Sequence, residues 1–304
     1  MVTRIGHVCY RTTDIEARVS FAQRTLGLFE VERRDGVSYL TCNSRHHEML
    51  LVESDEDTCD HVAFEVADAS GLAAAAQVLA NGGYERIEPT FEEFGIDDSI
   101  WATGPGGLPV KFFYGMDHSQ PSGYDTPGVR PVKFEHVTVK SSVQSELETF
   151  LMDLGMQLSD RTTTPGGAMS WFRPGVDHHG VSIVEAPQDL LHHVGWATNG
   201  WDDLRRVGER LKETGGSFLF GPGHHGIGDN YFCYFFDPAG VIVEYDCSML
   251  QIERDSAYQP RDWPDAPTTV NQWGAPLPPL EFLMGGTPWA SSRQPAAEFA
   301  RSDR

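Results

Sequence analysis

Cysteine is scarce and unpatterned. The chain has five (Cys9, Cys42, Cys59, Cys233, Cys247), an odd number with no Cys-x-x-Cys spacing. That argues against a disulfide framework or a zinc ribbon, and a reducing cytoplasm is the expected compartment. Positive charge is also short: 23 Lys and Arg stand against 44 Asp and Glu, a net charge of −21. A chain this acidic is poorly suited to polyanions, so neither nucleic acid nor an anionic membrane is an expected partner. No apolar run approaches the ~20 residues of a membrane helix. The opening Met-Val-Thr-Arg-Ile-Gly-His reads as strand rather than as a secretory leader. What remains is an ordered globular composition, 40% hydrophobic and 11% aromatic, over a length that allows roughly two domains.

The chain repeats itself. Gly6-His7-Val8-Cys9-Tyr10 corresponds to Glu135-His136-Val137-Thr138-Val139, and Asp60-His61-Val62 to His192-His193-Val194. Gly104-Pro105-Gly106-Gly107 through Lys111 corresponds to Asp237-Pro238-Ala239-Gly240 through Glu244. The offset is about 130 residues each time, too long for a solenoid and suited to a duplicated domain. Within each half a shorter unit recurs: a strand, an amphipathic helix and three β-rich segments. Helices are expected near 14–26, 69–80, 142–154 and 201–214, with Leu147, Phe150, Leu151 and Leu154 on one buried face. Gly27, Gly82-Gly83, Gly155 and Gly215-Gly216 stand where C-terminal caps belong.

The expected fold is α+β, with four βαβββ modules paired into two domains, each an open mixed-sheet barrel around a cavity. The boundaries are 1–114, a Ser/Gly/Pro/Asp-rich linker at 115–130, 131–250, and a Pro- and Trp-rich tail at 251–304 whose end beyond about Arg293 looks disordered.

The second half concentrates histidine: His136, then the pairs His178-His179, His192-His193 and His224-His225. Strand alternation puts His136 on a face with Phe134 and Thr138, His193 with Gly195 and Ala197, and Glu244 with Ile242 and Asp246. Two strand imidazoles and one strand carboxylate can form a metal site with open positions, a ligand set that favours non-heme Fe(II) oxygen chemistry. In the first half the same slots hold His7, His61 and Lys111, whose ammonium would repel a divalent cation. That site reads as vestigial.

These modules and strand motifs resemble the vicinal oxygen chelate superfamily. Within it they resemble the type I extradiol ring-cleaving dioxygenases, the catechol 2,3-dioxygenase and homoprotocatechuate 2,3-dioxygenase group. The resemblance spans roughly residues 5–250. It is sharpest from Leu191-His192-His193-Val194 through Gly221-Pro222-Gly223-His224-His225-Gly226 to Tyr234 and Glu244. It implies metal ligands at His136, His193 and Glu244, a dioxygen-facing His179, a substrate-side His225 and a hydrogen-bonding Tyr234. It also implies Fe(II), with Mn(II) compatible, O2 as co-substrate, a catechol opened to a muconic-semialdehyde-type product, and a homo-oligomer, tetramer or larger.

Phe220 stands where the homoprotocatechuate enzymes have a carboxylate-binding arginine, and His224 where relatives have another arginine. Both departures point to a less anionic, more hydrophobic substrate. The first members of the pairs, His178, His192 and His224, are expected on loops or the surface; His46, His47 and His118 are expected to carry no chemistry. Asp229 and Asn230 read as a turn. The tail with Asn271-Gln272-Trp273-Gly274 is a candidate lid. Two readings compete: an oxygen-independent glyoxalase- or epimerase-like enzyme using Ni, Co or Zn, and a non-catalytic binding protein of the bleomycin-resistance type. The first needs neither a dioxygen-facing His179 nor Tyr234; proteins of the second type are usually a single two-module domain and lack the full ligand triad.

Overall fold

Runs of alternating or continuous β-branched and aromatic residues become strands, and the helices fall where the 3.6-residue period places them. The computed structural model describes residues 1–119, 126–164, 167–253, 257–264, 267–274 and 276–290. The first module is β1 (Val2–Thr12), α1 (Ile15–Phe21) with a π-helical turn at Ala22–Leu26, β2 (Phe29–Arg34), β3 (Val37–Thr41) and β4 (Met49–Glu53). Asp14 caps α1 by accepting from the Ala17 N–H, and Gly27 ends the π turn at φ 69°. The second module is β5 (Thr58–Val66), α2 (Ala69–Gly82), β6 (Asp98–Thr103) and β7 (Pro109–Tyr114).

One expected strand is missing there. Between Gly83 and Asp98 the chain makes isolated bridging contacts at Arg86 and Ile87, Arg86 facing Ala102, and no strand. Pro89 has no N–H to give a ladder, and the segment instead carries the Glu93 side chain into the interior, where it is 3% exposed.

The second half is complete. It comprises β8 (Lys133–Ser141), α3 (Gln144–Asp153), β9 (Gln157–Thr164), β10 (Gly167–Arg173) and β11 (Val181–Glu185). Then come β12 (Leu190–Ala197), α4 (Trp201–Glu213), β13 (Phe218–His224), β14 (Tyr231–Phe236) and β15 (Ile242–Cys247). On α3, Leu147, Phe150 and Leu151 are buried as the spacing requires, each worth about 1.5–3 kcal/mol of transfer.

The strands form two sheets, ordered β2-β3-β4-β1-β5-β7-β6 and β13-β14-β15-β12-β8-β11-β10-β9. The first strands of paired modules, β1 with β5 and β8 with β12, run antiparallel at the sheet centres. This is the mixed α+β architecture expected. One continuous core joins the halves. Across it, Tyr245 donates to the Leu26 carbonyl at 2.6 Å and buried Arg18 pairs with Asp237 at 2.6 Å.

The tail is more ordered than its lack of periodicity suggests. It supplies β16 (Arg261–Trp263) beside β9, the short helices α5 (Pro267–Val270) and α6 (Leu280–Met284), and β17 (Thr287–Pro288) beside β12. Part of the expected linker, 120–125, and the expected disordered end lie outside the described residues. No disulfide joins the cysteines, and no described helix is long and apolar enough to cross a membrane.

Candidate metal centre

Register builds the centre. His136 on β8 faces Gly195 on β12 across an antiparallel pair, and Gly195 faces Glu244 on β15 across a parallel one. A Cβ at Gly195 would fall 2.0 Å from His136 Cε1, so only glycine lets the imidazole lie over the strand. His136 Nε2 comes to 3.0 Å from Glu244 Oε2 and His193 Nε2 to 3.2 Å from the same oxygen. All three side chains are buried, and one ligand atom from each lies within 4.8 Å of the others.

The electrostatics of this cluster are those of a cation site. Burial alone would raise the Glu244 carboxyl, but His136 and the bonds from its neighbours hold it well below the usual range. Burial would lower His136, yet the Glu244 charge beside it pushes the imidazole up to about 9. The buried carboxylate thus favours positive charge beside it, which is what a divalent cation supplies. No hydrogen bond reaches Glu244 Oε1. The residues present fit a two-imidazole, one-carboxylate metal.

Around the triad lie the other three expected residues. His179 packs its ring 4.6 Å from that of His136. Burial, then its histidine neighbours, keep it well below 6.5, a neutral imidazole. His225 Nε2 is 3.0 Å from the Tyr234 hydroxyl and 3.6 Å from Glu244 Oε1. Burial raises Tyr234 well above 10, so it stays a phenol and can donate to His225. His225 in turn stacks on Phe232 at 3.8 Å. One wall is apolar: Phe220, Ile242 and Phe282 are buried around Tyr234, with Phe220 stacked at 5.8 Å and Phe282 edge-on at 4.7 Å.

The expectations about the histidine pairs divide: His178 does lie on a loop, whereas His192 stands on β12, neither on a loop nor at the surface. His178 and His192 are not at the surface but 0% and 5% exposed. Each turns Nδ1 toward its neighbour's Nδ1, at 3.1 Å from His179 and 2.6 Å from His193. Each uses Nε2 elsewhere, His178 on Asp160 at 3.1 Å and His192 on the Phe282 carbonyl at 2.8 Å. A strand or loop residue whose both ring nitrogens find partners is stable inside. His224 does lie outside the cluster, stacked on Tyr231 and bonded to Asp229 at 3.0 Å. Asp229 makes the expected turn at φ 55°, whereas Asn230 is buried and donates to Asp246 at 2.9 Å.

Asp160, Val270 and Phe282 carry no local sign of their role in the sequence, because they reach the site from 18, 45 and 90 residues away. The doubled histidines were the one available signal.

In the first half, Lys111 stands at the register position of Glu244, facing Ala63 as Glu244 faces Gly195. Its ammonium is fully buried and ion-paired with Glu93, whose other oxygen lies 3.1 Å from His47 Nε2. His7 Nε2 is 3.1 Å from His61 Nε2. His7, His47 and Glu93 converge closely enough for a metal, but the lysine already provides the positive charge.

The chain is similar to known proteins over most of its length. A manganese-dependent 2,3-dihydroxybiphenyl 1,2-dioxygenase of Geobacillus genomosp. 3 is 26% identical over 286 residues, covering 86% of this chain and 90% of that protein. The crystal structure of homoprotocatechuate 2,3-dioxygenase from Arthrobacter globiformis superposes with a TM-score of 0.87 at 21% identity, over 97% of this chain and 95% of that one. The Mn(II)-bound glyoxalase from Novosphingobium aromaticivorans superposes at 0.85 with 25% identity, over 97% and 98%. A family model matches residues 4–112 and again 133–245, both copies of the repeat. The chain therefore belongs to the glyoxalase/bleomycin resistance protein/dioxygenase superfamily.

Proposed function

We propose that the protein is an extradiol dioxygenase that opens a catechol ring beside its hydroxyls with both atoms of O2, giving a muconic-semialdehyde-type product. The observation that carries this reading is the ring of proton-handling groups around the triad. A metal site alone needs His136, His193 and Glu244; it does not need a neutral, buried His179 on one side and a His225–Tyr234 pair on the other. The similarity to a dihydroxybiphenyl dioxygenase over most of both chains supports it.

A bound Fe(II), or Mn(II) as in the named relative, would be held by His136, His193 and Glu244 and would bring catechol and dioxygen together. The chain's own groups do the rest. His225 Nε2 is an acceptor that can take a catechol proton, and Tyr234 holds the deprotonated oxygen by hydrogen bond. His179, neutral and adjacent to His136, can accept a proton early and return it to the departing oxygen. Phe220, Phe282 and Ile242 exclude water and favour an apolar ring substituent. Residues 131–250 are then the catalytic unit, 1–114 a non-catalytic partner, and the tail a cover over the pocket. A cytoplasmic homo-oligomer is in keeping with the family resemblance.

The test is oxygen uptake by anaerobically Fe(II)- or Mn(II)-loaded protein with a catechol panel, watched for a yellow product. One O2 consumed per ring opened supports the reading. The Mn(II) glyoxalase likeness favours one alternative, oxygen-independent chemistry on the same scaffold. Metal retained without O2 uptake on any catechol would shift the reading there.

A further inference from the structure

The hydrogen bonds of the doubled histidines have a direction, and it starts in the tail. Asp160 is 1% exposed and accepts from Tyr258 Oη at 2.8 Å, the Arg261 N–H at 2.9 Å and Trp263 Nε1 at 2.7 Å. Burial opposes its charge, but the bonds from His178, the Arg261 N–H and Trp263 hold it below the usual carboxylate range, an anion. A carboxylate can only accept, so His178 Nε2, 3.1 Å away, carries a hydrogen. With its hydrogen on Nε2, His178 can offer Nδ1 as a lone pair, and that nitrogen faces His179 Nδ1 at 3.1 Å. His179 Nδ1 must then be the donor, and its Nε2 the acceptor.

The neighbouring pair follows the same logic. The Phe282 carbonyl takes the His192 Nε2–H at 2.8 Å, so His192 Nδ1 accepts from His193 Nδ1 at 2.6 Å and His193 Nε2 is left free to ligate. The third needs no intermediary, because His225 Nδ1 donates straight to the Val270 carbonyl at 2.6 Å.

We propose that His178 is a positioning residue: bound to Asp160, it locks His179 in the Nδ1–H tautomer with Nε2 as proton acceptor, and the C-terminal tail completes the lock by pinning Asp160. The role given to His179 rests on the dioxygenase reading; the lock itself does not.

Isotope-labelled histidine in the full-length, zinc-loaded protein reports tautomers directly by long-range nitrogen–proton spectra, with the His179 signal assigned by its loss in His179→Gln. The expected wild-type result is a protonated Nδ1 and a pyridine-like Nε2 at His179. His178→Phe removes the acceptor and should give a tautomer mixture. With the native metal, kcat should fall about 10- to 100-fold while KM for the catechol and metal content stay within about twofold. His178→Gln, which returns an acceptor oxygen, should restore the Nδ1–H form and most of kcat. A His179 Nε2–H in the wild-type protein overturns the proposal, as does an unchanged tautomer with full kcat in His178→Phe. Since the wild-type tautomer is read without turnover, a correct tautomer without catechol cleavage would sink the functional reading and leave the lock standing.

Discussion

Gly195 sits at the crossing of the three strands that carry the proposed ligands, and Gly195→Ala puts the geometry to a quantitative test. The backbone there is ordinary, so the added methyl costs nothing in φ and acts only through space. Its carbon would lie 2.0, 2.3 and 2.4 Å from His136 Cε1, Nδ1 and Nε2, where ordinary contact starts at 3.4 Å. The ring must retreat by about 1.4 Å at its nearest atom, or the strands must part. Overpacking of this kind costs about 1–3 kcal/mol of stability. A displacement of about 1 Å at a reacting centre costs ~10²-fold in rate, about 2.7 kcal/mol. The expected variant is folded, melts several degrees lower, binds metal more weakly and turns over at about 1% of the wild-type rate. Metal content by elemental analysis, thermal melts and oxygen uptake measure the three effects. Full metal occupancy with wild-type turnover would refute the placement of His136 over Gly195.

Other perturbations probe the surroundings. Glu244→Ala should abolish metal retention and activity together, checked by elemental analysis after gel filtration; normal metal content would remove Glu244 from the ligand set. Lys140 donates to the carbonyls of Leu283 and Gly285 at 2.8 and 2.9 Å. Lys140→Met should weaken that anchor by about 1–3 kcal/mol, read as faster amide exchange across 280–288 with β8 unchanged. Lys111→Met strands the buried Glu93 carboxylate and should cost about 3–5 kcal/mol in urea unfolding; a loss under 1 kcal/mol would mean Glu93 finds another partner. Burial pushes His47 down to about 4, so the unfolded chain takes up its proton first as pH falls from 6.5. Stability should drop by about 3 kcal/mol between pH 6.5 and 4 on this account, and His47→Asn should flatten that slope; an unchanged slope would point to other groups.

The legible parts of this molecule were the periodic ones. Strand parity placed His136, His193 and Glu244 on one face because alternation is set by the backbone, and the structure brings the three together. The helix faces and the caps at Gly27 and Gly83 followed from spacing and from a positive φ that glycine tolerates. The missing strand after α2 was hidden, since the 130-residue repeat suggested symmetry where Pro89 and the inward Glu93 break it. The burial of His178 and His192 is not legible in the sequence, because a histidine's burial depends on partners, and theirs come from Asp160 and Phe282. Nothing about a tail without periodicity announces which carbonyls it will offer.

That tail has a consequence for how the protein comes into being. The two sheets can close from residues that precede 250, yet the groups that orient the histidines are Val270 and Phe282, with Tyr258 and Trp263 behind Asp160. On a ribosome these emerge after residues 1–250, when the central strands of both sheets have had the chance to form. Closing a loop of some ninety residues costs entropy before any contact repays it, so this docking belongs late in folding. A nascent chain that has reached only residue 250 would therefore hold its histidine cluster without these partners, and competence for oxygen chemistry would arrive only once residues 258–282 are made and docked.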